Sequence, residues 1–228
     1  MIYDKPQYLI MGDRALLIEL GDEVSPLVNR EVRALLITLE QNPIRGIVEL
    51  VPTYRSLLIL YDPLILTFPV LRRKISERIH LTKEAEIPPS RALQIPVCYE
   101  GEYGPDLQWV ADYHNMSVKE VIRLHTGTTY RVYMIGFTPG YAYLGELPGG
   151  LVTPRRETPR THVPKGSVGI AKNQTGVYPV DSPGGWQIIG RTPLELFNPN
   201  TWPPALLNMG DLVTFYAIDK KEMIHWQL

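Results

Sequence analysis

The chain has one cysteine, Cys98, among 228 residues. An internal disulfide is therefore excluded, and with it the small secreted scaffolds that depend on such staples. Excess charge of one sign is missing too: 23 Lys and Arg face 24 Asp and Glu, a formal net charge of -1. No overall basic field exists to hold nucleic acid or an anionic membrane, so small molecules and proteins are the expected partners. No apolar run reaches bilayer length, because Arg, Asp or Pro interrupts each one. The start, MIYDKPQYLI, has neither a basic region nor an apolar stretch long enough for export, which predicts a cytoplasmic chain.

Several chemistries are absent by motif. There is no GxxxxGKS or GxxxxGKT phosphate-binding loop and no GxSxG, since Ser167 lies in KGSVG. HExxH and CxxC metal spacings are absent as well. Cys98 has no basic neighbour to lower its pKa and reads as a buried, inert thiol.

What remains is ordinary globular material, 44% hydrophobic and 21% charged, long enough for one large or two small domains. Residues 8–11 and 14–20 read as strands around a Gly12-Asp13 turn. Ser25 and Pro26 open a helix whose Leu27, Val32, Leu35, Leu36 and Leu39 recur at helical spacing until Asn42-Pro43. Strands at 46–51 and 55–61 follow, then a helix after Thr67 with Val70, Leu71, Ile75 and Ile79 on one face and a solvated basic face. The order predicts a small α+β domain, residues 1–88, in which two helices cover one sheet face. Residues 85–90, with Pro88-Pro89, form the expected connector to a second domain at 89–228.

The second domain opens with a strand at 93–99. A helix start at Pro105-Asp106-Leu107 follows, then a helix with the capping-box pair Ser117 and Glu120, ended by Gly127. A strand at 128–135 leads into the richest stretch, 136–193, where many of the 18 Gly and 21 Pro stand among aromatics and arginines. Such backbone shapes surfaces, and the apolar runs 167–171 and 186–189 predict folded loops carried on short strands. Tight barrel corners with no chemistry attached remain the alternative. Residues 206–207 and 212–218 read as barrel-closing strands.

Three linked motifs carry a resemblance: GFTPGYAYLGELP, then TPRRETPRTHVPKGSVGIAKNQTGVYP, then SPGGWQIIGRTPLELFNP. The chain resembles the allophanate hydrolase subunit 1 family, supported by the GPDL, HTG and GD elements at Gly104, His125 and Gly210. The resemblance implies a cyclophilin-like β-barrel as the second domain, hence an α+β chain overall. It also implies one component of a multi-subunit hydrolase, most directly an ATP-dependent 5-oxoprolinase. ATP would then be shared with, or bound by, two partners. One is an allophanate hydrolase subunit 2-like protein, which is the C subunit of 5-oxoprolinase; the other is the A subunit of the same enzyme. The family also contains an inhibitor of a sporulation histidine kinase, so a sensor-kinase-binding module is the second expectation, and an allophanate-type substrate a third.

Candidate site residues lie in the same stretch. Arg155, Arg160 and Arg191, with Arg156 and Lys165 nearby, offer planar forks or ammonium on proline-braced loops suited to a carboxylate or phosphate. Surface pairing with Glu146, Glu157, Asp181 and Glu195 is the bland alternative. Tyr178, Ser182, Gly184, Gly185 and Trp186 would form an aromatic wall approachable by a flat ligand, with Gln174 as a hydrogen-bonding group. Phe137, Tyr141 and Tyr143 on a rigid turn suit a partner protein or a substrate. His162, where the family more usually carries a basic residue such as Arg, reads as an exposed loop histidine. No metal site is expected.

Overall fold

A computed structural model describes residues 1–226, and the chain divides into two compact units, Met1–Pro89 and a second beginning at Ser90. In the first unit β1 (Ile2–Ile10) and β2 (Ala15–Gly21) form an antiparallel hairpin. Gly12, at φ +69, turns the chain between them. Next come α1 (Pro26–Gln41), β3 (Ile47–Pro52), β4 (Ser56–Tyr61) and α2 (Phe68–Ser76). The sheet order is β1-β2-β4-β3, all antiparallel. Alternation puts Leu16, Ile18, Leu57 and Ile59 on the buried face, where α1 lays Val28, Val32, Leu35 and Leu39.

The start of α1 follows the expected cap, with Ser25 Oγ accepting from the Val28 amide at 3.3 Å and Pro26 in the first turn. Thr67 precedes α2 but makes no side-chain cap bond, and the helix rests on its buried Leu71 and Ile75. Ile79 lies beyond α2, in a 3-10 turn over Ile79–Lys83.

The second unit is built around a closed barrel. Its elements begin with β5 (Ala92–Cys98), α3 (Leu107–Tyr113), α4 (Val118–Thr126), β6 (Thr129–Ile135) and β7 (Ala142–Gly145). They continue through β8 (Arg160–Val163), β9 (Ser167–Ala171), β10 (Gln174–Val177), β11 (Ser182–Gly184) and β12 (Gln187–Arg191). The last are β13 (Leu212–Ile218) and α5 (Lys220–Trp226). Seven strands close in the order β10-β7-β6-β13-β5-β12-β9, while β8 and β11 form a separate ribbon. Closure leaves the seven strands without a free edge. β13 runs parallel to β5 from Leu212 opposite Ala92 to Ile218 opposite Cys98.

Inward residues Ile95, Val97, Val132, Leu144, Ile170 and Val213 fill the core. α4 starts as expected, Ser117 Oγ accepting from the Glu120 amide at 3.2 Å, but the Glu120 carboxylate turns to Arg123 instead of completing the box. Residues 206–207 are not a strand. Leu206 donates its amide to the Leu196 carbonyl beside an isolated Phe197–Ala205 bridge, because two prolines, Pro203 and Pro204, leave few amides for a ladder there.

α4 ends by placing His125 in the barrel core with no exposed surface, stacked on Phe215 at 4.5 Å. Thr175 Oγ1 donates to the Gly169 carbonyl at 3.0 Å, so it accepts from His125 Nε2, also at 3.0 Å. Nδ1 is then left as acceptor for the Tyr99 hydroxyl at 2.8 Å. The chain of donors therefore fixes a neutral imidazole, and burial pushes its pKa down to about 3.

Candidate functional site

The turn into β7 begins with Phe137, whose φ of 73° is unusual for an aromatic residue. Two residues before β7, Gly140 sits at φ +77 with its backbone against Phe197; a Cβ there would lie 2.7 Å from Phe197 Cβ. Only glycine meets both demands. The turn leaves Phe137 64% exposed and sends Tyr141 inward to 1%.

Tyr141 is the hub of an aromatic cluster. Its ring centroid lies 4.8 Å from Tyr143, 5.2 Å from Tyr178 and 5.9 Å from Trp186, all near edge-to-face. These rings and the Gly184-Gly185 backbone wall a hollow of about 270 Å³, with Phe137, Arg155 and Pro159 also lining it. Burial pushes the Tyr178 phenol up to about 12, with the Trp186 backbone, Arg155 and Tyr141 pulling it partly back. Tyr143 is raised by burial as well. Both phenols are protonated at neutral pH and act as hydrogen-bonding groups. Among the described residues the lining has a cation and phenols but neither carboxylate nor imidazole.

Gly184 is where the wall tolerates no side chain, since an added Cβ would lie 2.4 Å from the Tyr178 hydroxyl. Gly184→Ala is expected to push Tyr178 off its place and destabilise the second unit by about 1–3 kcal/mol. Chemical unfolding followed by tryptophan emission measures it, and an unchanged midpoint would show that the wall yields freely.

Beside the hollow lies an ion cluster centred on Asp106, which is 5% exposed. Its Oδ2 accepts from the Ile188 amide at 2.7 Å and from Arg160 Nη1 at 2.8 Å. Its Oδ1 accepts from Arg160 Nη2 at 2.7 Å and Arg156 Nη1 at 3.1 Å. The bidentate Arg160 fork and the backbone bond satisfy a carboxylate that burial would otherwise penalise. Asp106 thereby ties the 154–160 loop, which carries Arg155 and Pro159, to β12, which follows Trp186.

The candidate residues are thus only partly brought together. Arg155, Tyr178, Gly184, Gly185 and Trp186 share the hollow with Phe137, Tyr141 and Tyr143. Of those last three Phe137 is well exposed, Tyr143 half-buried and Tyr141 buried. Arg160 is committed to Asp106 and does not line the hollow. Arg191 stacks over Tyr103 at 5.6 Å and, with Lys165 and Glu195, lines a different recess of about 280 Å³. Gln174 is half-buried at the start of β10, outside the lining of the hollow. The Ser182 hydroxyl is buried with no hydrogen-bond partner among the described residues and also lies outside the lining. His162 is exposed.

The sequence marks Asp106 only as a helix start, yet Asp106, not Glu146, Glu157, Asp181 or Glu195, is the partner of Arg156 and Arg160. The available signal is the Gly104-Pro105-Asp106 run: a Cβ on Gly104 would sit 2.4 Å from the Ile189 carbonyl, so glycine lets Asp106 approach β12. Trp109 and Tyr113, on α3 beside this cluster, belong to no motif and gave no signal of their own.

Residues 6–207, most of both units, match the model of the carboxyltransferase domain, subdomain C and D. The chain belongs to that family. Within it, the 5-oxoprolinase B subunit of Bacillus subtilis is 42% identical over 93% of this chain and 92% of its own length. The Escherichia coli O157:H7 protein of the same name is 44% identical over 91% and 94%. The crystal structure of TTHA0988 superimposes with a TM-score of 0.79 at 37% identity, over 90% of this chain but only 40% of that one. The family resemblance read from the three motifs is thereby borne out, and the carboxyltransferase-family fold agrees with the α+β chain and barrel expected. Among the described residues, no helix is long and apolar enough to cross a membrane.

Proposed function

We propose that the chain is the B subunit of an ATP-dependent 5-oxoprolinase and takes part in opening the lactam of 5-oxo-L-proline to L-glutamate. The observation that carries the reading is its similarity, over nearly the whole of both chains, to two proteins of that name. The hollow suits such a substrate. Tyr143, Tyr178 and Trp186 line it with aromatic surface suited to a five-membered ring, and Arg155 offers a fork to its carboxylate.

Amide resonance makes a lactam resist water, and coupling to ATP is the chemical means of activating it. With only protonated phenols and a guanidinium around the hollow, this chain holds and orients the ring while partners bring the proton-transferring groups. The A subunit of 5-oxoprolinase and its C subunit, an allophanate hydrolase subunit 2-like protein, are the proposed partners, and the ATP site is shared with them. The match to under half of the TTHA0988 chain supports a unit that works beside others.

Reconstitution from the purified components tests the reading. Leaving this chain out is expected to reduce 5-oxoproline-dependent ATP hydrolysis and glutamate formation to background. Full turnover by the remaining components would remove the assignment.

A further inference from the structure

The wall of the aromatic hollow fixes what one of its hydroxyls does with its proton. Tyr178 is 2% exposed, and it lines the hollow with Tyr143 and Trp186. Its hydroxyl is held against Gly184, where an added Cβ would lie 2.4 Å from the oxygen. The same oxygen accepts from the Trp186 amide and from the Tyr141 hydroxyl. With those acceptor positions taken, the phenol is left to donate its own proton, and among the described residues none accepts it. A donor held in this way favours a ligand that brings an acceptor atom to it.

Arg155 supplies the second polar contact. Among the described residues it is the one charged group of the lining, and it has no ion-pair partner. Its charge is felt at both the Tyr143 and the Tyr178 oxygens, so fork and donor serve the same ligand. The hollow thus offers a cation, a directed O–H and aromatic surface. No anionic side chain among the described lining residues could receive an ammonium.

We propose that Tyr178 is the specificity-determining residue of the hollow: it donates to the carbonyl oxygen of a cyclic amide whose carboxylate sits on Arg155, so the closed ring is held and the opened one released. The inference rests on the 5-oxoproline reading above for the identity of the ring. Opening the lactam with water breaks its C–N bond. The water oxygen joins the carbonyl carbon to make a carboxylate, and both water protons go to nitrogen to make an ammonium. The new carboxylate still accepts from Tyr178, but the ammonium is brought beside Arg155 with no anion to receive it. The product is therefore the weaker ligand, and the hollow empties after turnover.

Titration calorimetry of the full chain with four ligands is the test. They are 5-oxo-L-proline, cyclopentanecarboxylate (ring and carboxylate without the carbonyl), 2-pyrrolidinone (no carboxylate) and L-glutamate. 5-Oxoproline is expected to bind about five- to tenfold more tightly than cyclopentanecarboxylate, and about tenfold or more above the other two. Tyr178→Phe should remove the preference over cyclopentanecarboxylate while leaving cyclopentanecarboxylate itself as well bound as before, which also shows that the hollow of the variant is intact. Arg155→Ala should weaken both carboxylates. The proposal is overturned if 5-oxoproline does not bind, if glutamate binds as well as 5-oxoproline, or if Tyr178→Phe keeps the preference. Equal affinity of the parent chain for 5-oxoproline and cyclopentanecarboxylate would overturn it whatever the variant does. Reconstituted turnover is read separately: a chain needed for glutamate formation whose binding ignores Tyr178 loses this proposal and keeps the B-subunit reading.

Discussion

Asp106→Ala is expected to cost about 3–5 kcal/mol, because it leaves the Arg156 and Arg160 guanidiniums partly buried without their counter-ion. The Ile188 amide loses its acceptor at the same time, so a backbone donor inside the barrel wall is orphaned. For a unit of this size the thermal midpoint should fall by roughly 10 °C or more. Asp106→Asn keeps the shape and one acceptor and should lose less. Arg160→Ala should also lose less than Asp106→Ala, since Arg156 and Ile188 still satisfy the carboxylate. The loop that carries Arg155 is held through this carboxylate, so ligand affinity in the hollow should drop with stability. Thermal unfolding of the three variants decides the matter: a loss below about 1 kcal/mol in Asp106→Ala would mean that water already screens the cluster as it does a surface pair.

The second large effect is a dependence of stability on pH centred on His125. In the unfolded chain its pKa is near the ordinary value of 6.5, whereas in the barrel core it is about 3. Below the unfolded value the unfolded chain takes up a proton that the folded chain refuses, so stability falls as pH drops from 6.5 toward 3. Between about pH 7.5 and about pH 5 the loss should be roughly 2 kcal/mol. Burial lowers the His114 pKa too, which adds in the same direction. Urea unfolding at the two pH values measures the slope, and His125→Gln should flatten most of it while keeping a polar side chain beside Tyr99 and Thr175. An unaltered slope in that variant would place the pH sensitivity elsewhere.

Local signals in the sequence carried far. Ser25-Pro26, Gly12-Asp13 and Ser117 each set a boundary through their own backbone or side-chain chemistry, and the structure puts caps and turns there. The wall of the hollow was legible for the same reason, since Gly184, Gly185 and Trp186 are adjacent and their roles follow from size alone. Asp106 was not, because its meaning comes from Arg156 and Arg160, fifty and fifty-four positions away. Arg160 and Arg191 stand within similar proline-rich runs, yet one is drawn into an ion cluster and the other over Tyr103, a choice made by strand register. Residues 206–207 misled because two leucines suit a strand, while the prolines before them remove the donors that pairing requires.

The parallel seam between β5 and β13 has a consequence for how the molecule is made. Arg91 and Asp211, which join beside that seam, are 120 positions apart, so the earliest strand of the second unit must wait for the last before the ring can shut. Until translation has delivered β12 and β13, β5 lacks one or both of its neighbours and its apolar inner face has nowhere complete to go. Folding of this half is accordingly expected to be later and slower than that of the hairpin-rich first unit.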